Sequence, residues 1–574
     1  MQGRNASHGV TVRGNATWGR GSNERLRAGV IHRRGIVLMA AFVVALMLPL
    51  GAGAATRTFG GFPWQSTVNY PAGSFLAGVQ ANPGTTYRVI VQVQSRQREH
   101  AVSGWAGTYG RTHSFNLING VSLKLPGWAI LFIAQHKNMF GGVTITPDLP
   151  LKVLSAPDNG TEMNWPAAVG ANPLWSHPAV PCAVDATGVK IDPLCQDVPA
   201  YNAPQEPAIA IVDTGIDPTK AADFGSRIVA SVDFSSLSPA GATGDQMGHG
   251  TMVAGIAAGA SSYAPGVAQN APLVDVRTGD AQGESLTSDV LAALDWIDAN
   301  KATYNIRVAN MSMASNQATS FRNDPLDKAV EQLWLNGVVV VAAAGNNGNA
   351  DGTPSPIGAP ANDPFVITVG GTDQAGTVSP ADDTRAPWSA YGRTIDGFQK
   401  PEISAPARYM VAPVPMDSTL ATTEPSRIVA PGYMWMSGTS FAAPQVAGAA
   451  AEILAEHPAW TPDQVKGALM VTATHTADPT GGTGVGELNA VAAVKGVATP
   501  PNPNLHLNDF VAVSPTTGEN AFDAEGWAAY AKANPSWAPA DFAASDWAVS
   551  DWAVSDWAVS DWAVATWTAS ETAP

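Results

Sequence analysis

A doubly wound, mostly parallel α/β fold is predicted for the greater part of this chain by three observations. From Ala208 to about Ala498, apolar strand-like runs alternate with helical stretches, the order that lays helices on both faces of a parallel sheet. The run AIAIVDTGID (208–217) is apolar and β-branched without polar alternation, as expected of a strand buried on both faces. The 56 glycines and many alanines suit close helix–sheet contacts.

Each element follows in order. Residues 1–34 are rich in Arg and Gly; Gly35 to Leu50 is then an apolar run of 16 residues, followed by Ala52-Gly53-Ala54. A basic region, a short apolar run and an A-x-A-like site together predict a secretory signal peptide with a long leader over 1–54. An uncleaved anchor is the alternative, although 16 residues are short for a spanning helix. Next, TTYRVIVQVQS (85–95) alternates as a strand. FNLINGVSLKLP (115–126), WAILFIAQHKN (128–138) and GGVTITPDLPLKV (141–153) predict strand, helix and strand. In the main region, strands are expected at 208–213, 272–276, 305–311, 337–343 and 364–369. Helices are expected at 249–259, 284–300, 324–336, 440–456 and 461–473, the last capped by Thr461 before Pro462. Asp289 and Asp463 are expected as helix-start charges. After Thr499 the composition turns to Pro, Asn, Ala and Trp, ending in four SDWAV units over 545–564. Period five fits neither helix nor strand, and four units are few for a solenoid. An acidic low-complexity tail over 499–574 is expected, with surface or partner attachment through its tryptophans as the other reading.

Chemistry concentrates in four segments. SGTSFAAPQVAG (437–448) sets Ser440 on a turn opening a helix of small residues, where free backbone N–H groups favour developing negative charge. AIAIVDTGID ends in Asp213 at the carboxyl edge of a strand, where ligands gather in open α/β sheets. GHGTMVAGIAAG (248–259) puts His249 between glycines at a helix start. An aspartate can orient an imidazole that takes a serine proton. The chain order Asp213, His249, Ser440 is the one found in subtilisin.

These segments resemble the Asp, His and Ser motifs of the subtilisin-like serine proteases, and the resemblance covers about residues 165–498. GVVVVAAAGNNG (337–348) is similar to the family segment with the oxyanion-hole asparagine, here Asn346. The resemblance implies a serine endopeptidase acting through an acyl-enzyme on protein or peptide substrates bound as an extended strand. It places substrate-binding positions at Ser312, Met313 and Ala314 on one edge of a cleft. Ala343, Ala344 and Gly345 fall on the wall of the pocket beside the scissile bond, with Gly358 near its base. Ala359-Pro360 matches a position where the family often has a cis-proline. Ala314 and Ser315 stand where glycine is usual, so a tighter cleft is expected; the wall carries no charge, so apolar or broad preference is expected. Residues 85–154 are similar to the family's inhibitory propeptide, a partner in cis whose tail would occupy the cleft and be cut somewhere over 150–175. The implied organisation is leader and signal 1–54, propeptide-like module 55–160, catalytic domain 161–498 and tail 499–574.

No cofactor is required by this chemistry. The loop GASSYAPGVAQ (259–269) lacks any acidic ligand for calcium; structural calcium elsewhere stays open and is not predicted. A net charge of −16 argues against nucleic acid or an anionic membrane as partner, and a monomer is expected. Cys182 and Cys195 are the two cysteines, in a polar, Pro-rich stretch. A disulfide in an exported protein is expected, worth about 3 kcal/mol by loop closure, with two free thiols as the alternative. Two rival functions remain: a surface- or membrane-anchored processing protease of narrow range, and a Trp-repeat surface-binding protein with a vestigial protease domain.

Overall fold

A computed structural model describes residues 74–533, apart from 107–109, 137–142, 154–162, 177–199, 316, 350 and 515–517. The apolar run 35–50, both cysteines and the SDWAV units lie outside the described residues.

Helix α1 (Ser74–Ala81) precedes a small α+β module: β1 (Thr86–Val93), α2 (Arg96–Ala106), β2 (Arg111–Phe115), β3 (Gly120–Pro126), α3 (Gly127–Gln135) and β4 (Val143–Pro147). Its antiparallel sheet runs β2-β3-β1-β4. The apolar residues of β1 are buried in the sheet's centre, Val89, Ile90 and Val91 without exposure. Sequence reading omits α2 and β2, whose residues (RQREHAVSGWA and RTHSF) carry little apolar signal. After β4 the chain turns away, and β5 (Pro150–Val153) joins a different sheet.

The large sheet begins with β6 (Ala208–Asp213), followed by β7 (Ile228–Asp233), α4 (His249–Ala258), β8 (Leu273–Arg277), β9 (Glu284–Leu286), α5 (Thr287–Tyr304), β10 (Ile306–Met311) and β11 (Met313–Ser315). Then come α6 (Pro325–Leu335), β12 (Val339–Ala343), β13 (Ile367–Asp373), β14 (Thr384–Arg385), β15 (Ile403–Pro406), α7 (Thr439–Glu456) and α8 (Pro462–Val471). The order is β14-β13-β12-β10-β6-β8-β7, with β15 also pairing β13. The pairs are parallel except β13 with β14. From β6 the chain reaches the edge at β7, returns through β8, then crosses to β10 and continues outward. Strand order therefore reverses beside β6, and Asp213 ends that strand at the switch point. The fold is the doubly wound, mostly parallel sheet expected from the alternation of elements.

Packing explains the small residues of α7. Thr439 to Leu454 are all buried, and a Cβ on Gly448 would lie 2.7 Å from the Ala257 carbonyl of α4. Helix α8 starts as expected: Thr461 and Gln464 form a capping box with Pro462 in the first turn. Several boundaries differ, the strand expected at 364–369 being Ile367–Asp373. Residues 284–286 belong to a strand, so the helix expected from 284 starts at Thr287. Folded structure also continues beyond 498. Val511–Val513 and Asn520–Phe522 pair as a hairpin, and Ala524–Ala533 is a helix. Trp527 stacks on Phe398 at 5.1 Å and meets Phe321 edge-on at 5.7 Å. This first tryptophan of the Trp-rich segment is thus core, 5% exposed.

Glu452 on α7 is buried facing Glu206, with Glu456 and Lys495 nearby; burial, then the Glu206 charge, pushes its carboxyl up to about 9. Folding therefore takes up a proton between the ordinary carboxylate range and about 9, and stability falls as pH rises through that window. Glu452→Gln is expected to raise the melting temperature by about 2 °C at pH 8 and to change it little at pH 5. Thermal unfolding at the two pH values checks this.

Candidate active site

Asp213, His249 and Ser440 are each fully buried, and each is placed by a separate element. Asp213 closes β6, where its Oδ1 accepts from the following Thr214 N–H at 2.8 Å. His249 opens α4 after Gly248, whose φ of +95° is a left-handed conformation that glycine adopts freely. A Cβ on Gly250 would stand 2.2 Å from the Gly215 carbonyl and 3.2 Å from Asp213 Cβ, so only glycine lets the helix start come this close to the end of β6. The result is a 2.7 Å contact between His249 Nδ1 and Asp213 Oδ1. With the carboxylate as acceptor, Nδ1 carries the proton and Nε2 keeps its lone pair.

Ser440 is the second residue of α7, where a backbone N–H has no partner within the helix. Its Oγ donates to the Ser312 carbonyl at 3.0 Å, and Ser312 Oγ donates back to the Ser440 carbonyl at 2.8 Å. The His249 ring lies 5.3 Å from that of Phe441, the next residue along α7. Asn346 completes the group. Its Oδ1 accepts from Thr439 N–H at 2.9 Å and Thr439 Oγ1 at 3.0 Å. A backbone donor must face the amide oxygen, so the orientation of the amide is fixed. Its Nδ2 is buried and donates no hydrogen bond among the described residues. An oriented imidazole, a hydroxyl at a helix N-terminus and an unused amide donor can together perform acyl transfer.

The other sequence-derived positions surround this group. Met313 and Ala314 lie on β11 beside Ser312, all three buried. Ala343 ends β12; Ala344 N–H donates to the Val369 carbonyl at 3.0 Å, and Gly345 N–H to Thr439 Oγ1 at 3.2 Å. A Cβ on Gly358 would lie 2.3 Å from the Ser315 carbonyl, so the glycine lets this segment pass directly beneath β11. The Ala359-Pro360 bond is cis. Among the described residues no group of three His, Cys, Asp or Glu side chains is arranged to hold a metal ion.

Strand β5 runs through the same region, antiparallel to both neighbours and between them. Val153, Lys152 and Leu151 pair with Met313, Ala314 and Ser315 of β11; Pro150, Leu151 and Lys152 pair with Leu286, Ser285 and Glu284 of β9. The module before it is docked on α5. Asp148 accepts from Ser288 N–H at 2.8 Å and Ser288 Oγ at 2.7 Å at the helix start, and pairs with Arg88 at 3.0 Å. Asp295 accepts from Asn116 and Leu117 N–H at 2.5 and 2.8 Å. Asp289 lies in the first turn of α5, as expected; it also accepts from Ser236 N–H at 2.9 Å, and burial pushes its carboxyl up to about 6. Asp463 binds the Trp334 indole at 2.8 Å.

Comparison with known proteins identifies the family. The model of the subtilase family matches residues 205–489. The subtilisin of Bacillus pumilus is 35% identical over 271 residues, which are 46% of this chain and 83% of that protein. The chain belongs to the subtilase family. The serine protease AprX of Bacillus subtilis (strain 168) is 38% identical over 267 residues, covering 45% of this chain and 59% of AprX. The extracellular serine proteinase of Thermus sp. (strain Rt41A) is 36% identical over 264 residues, 46% of this chain and 54% of that protein. The chain thus spans between half and two thirds of the length of these two relatives. As a subtilase it contains one feature that sequence reading passes over. Asp245, four residues before His249, accepts hydrogen bonds from both segments that carry Asp213 and His249. The signal available was an acidic residue within a buried-looking glycine turn, which by itself reads as a turn former.

Proposed function

We propose that this subtilase is a serine endopeptidase that hydrolyses peptide bonds in proteins through an acyl-enzyme. The observation that carries the reading is the 2.7 Å Asp213–His249 contact beside a serine on a helix N-terminus. Ser440 Oγ attacks the scissile carbonyl while His249 Nε2 takes its proton; the same imidazolium then protonates the leaving amine. Asp213 holds the tautomer and balances the imidazolium charge. Asn346 Nδ2 and the Ser440 N–H receive the oxyanion. A water activated by His249 releases the acid and restores the serine. A fluorophosphonate should attach to Ser440 in the processed protein, with hydrolysis of a denatured protein lost in step; an unlabelled Ser440 overturns the reading.

The module over residues 74–153 is proposed to be a propeptide cut by the enzyme itself, and the register of β5 supports a particular bond. Pairing advances one residue per step, and Val153 stands opposite Met313. Ser312, whose carbonyl accepts from Ser440 Oγ, precedes Met313, so the serine lies one step beyond the last paired residue of β5. Cleavage is therefore expected between Leu154 and Ser155, one step past the last paired residue. N-terminal sequencing of the mature protein should start at Ser155; a processed chain starting several residues away refutes the assignment. Export is proposed on the basic leader and 16-residue apolar run, and on the extracellular relative.

A further inference from the structure

Beside the triad lies a buried carboxylate that the reaction as described does not use. Asp245 is 6% exposed and accepts four hydrogen bonds: from Thr214 Oγ1 at 2.8 Å, Gly248 N–H at 2.7 Å, Thr251 N–H at 2.8 Å and Thr251 Oγ1 at 2.7 Å. Four donors on two oxygens favour the ionised form, against burial, which pushes the carboxyl up. The donors come from two chain segments. Thr214 follows Asp213, and its N–H holds Asp213 Oδ1; its hydroxyl also accepts from Gly250 N–H at 2.9 Å. Gly248 and Thr251 bracket His249 at the start of α4. Thr251 Oγ1 in turn accepts from Asp217 N–H at 3.0 Å, tying the helix to the turn after β6.

We propose that Asp245 is a positioning residue for the triad: it clamps the Asp213 turn and the His249 helix start together and so sets the carboxylate–imidazole contact. The role rests on the serine endopeptidase reading. Nothing else among the described charged groups bridges the two segments in this way. Asp275 and Arg277, on β8, are the neighbouring charges, and the guanidinium of Arg277 donates to Gln246 Oε1 at 2.6 Å and to the Gly244 carbonyl at 3.5 Å. Arg277 therefore braces the loop on either side of Asp245 rather than the triad. A carboxylate at this helix start also adds negative charge where the N–H groups of α4 converge, near the imidazole that becomes cationic during the reaction.

Asp245→Asn keeps the shape but cannot accept from four donors, and it removes the charge. Rates are measured per active site titrated with a fluorophosphonate, so that unfolded molecules do not count. The expected result is a fall in kcat of about 10- to 100-fold with KM within about twofold, because misplacement of catalytic groups acts on the chemical step. The acid limb of the kcat/KM profile should also move to lower pH, since the imidazolium loses a nearby negative charge. An unchanged kcat per titrated site, or a loss with an unmoved acid limb, overturns the proposal. Thr214→Val, which removes one arm and keeps the backbone N–H to Asp213, should give a smaller loss in kcat. A parental rate in that variant also overturns it, including where Asp245→Asn fails to fold. A parent protein that takes no label overturns the endopeptidase reading, and this role with it.

Discussion

Ser440→Ala is expected to lower turnover about a millionfold, to abolish fluorophosphonate labelling and to leave the precursor uncut. The three effects share one cause. Without Oγ there is no nucleophile for the acyl-enzyme, and the surviving donors of Asn346 and α7 can stabilise an oxyanion only if something else attacks. The fold should tolerate the change, since among the described residues the hydroxyl donates one hydrogen bond, to the Ser312 carbonyl. The variant should therefore accumulate as full-length chain with residues 74–153 still attached. Mass spectrometry of the purified protein checks this. Efficient processing of Ser440→Ala in a host lacking other subtilases would sink self-cleavage while leaving the endopeptidase reading intact.

Much of the site was legible because each triad residue sits in a contiguous motif whose local chemistry announces it. The β6 run ends on Asp213, glycines flank His249, and small residues follow Ser440; strand β6 begins and ends where its apolar run does. Asn346 was legible as a candidate from resemblance, but what orients its amide was not. Thr439 fixes its orientation, and the two residues are far apart in sequence. Asp245 was hidden for the same reason, since its partners Thr214 and Thr251 carry no distinctive signal. Strand β9 has three residues and acquires its pairing from β5, more than a hundred residues earlier, so no local pattern could separate it from the helix that follows. The C-terminal helix was missed because composition described a polar, Trp-rich tail, whereas Trp527 finds Phe321 and Phe398 across the molecule. Local signals revealed the elements that hold chemistry, while long-range pairing decided what covers and braces them.

The arrangement around β5 also bears on the cleft. Ala314 and Ser315 replace the family's usual glycines, yet their backbone pairs with Lys152 and Leu151 in regular antiparallel register. Side chains in an antiparallel pair point away from the plane of the hydrogen bonds, so a methyl or hydroxymethyl group at these positions does not obstruct main-chain recognition. Any narrowing acts on the pockets instead. A substrate strand taking the place of β5 would be held through its backbone by β9 and β11.

Asn346→Ala is expected to reduce kcat about 100- to 1,000-fold with little change in KM. The split follows from when the interaction forms. The substrate carbonyl is neutral on binding and gains full negative charge only as Ser440 attacks, so a donor aimed at the developing charge acts mainly on the transition state. Asn346 Nδ2 is suited to this because its hydrogens are uncommitted among the described residues and its direction is set by Thr439 rather than by the substrate. The residual rate should remain far above that of Ser440→Ala, since the Ser440 N–H still serves the oxyanion. Asn346→Asp is the sharper variant: it retains an acceptor for Thr439, replaces the donor with a second oxygen and places negative charge where the oxyanion forms. It should be slower than Asn346→Ala despite the smaller change in shape. If Asn346→Asp matches the parent in kcat per labelled serine, Asn346 is not the oxyanion donor.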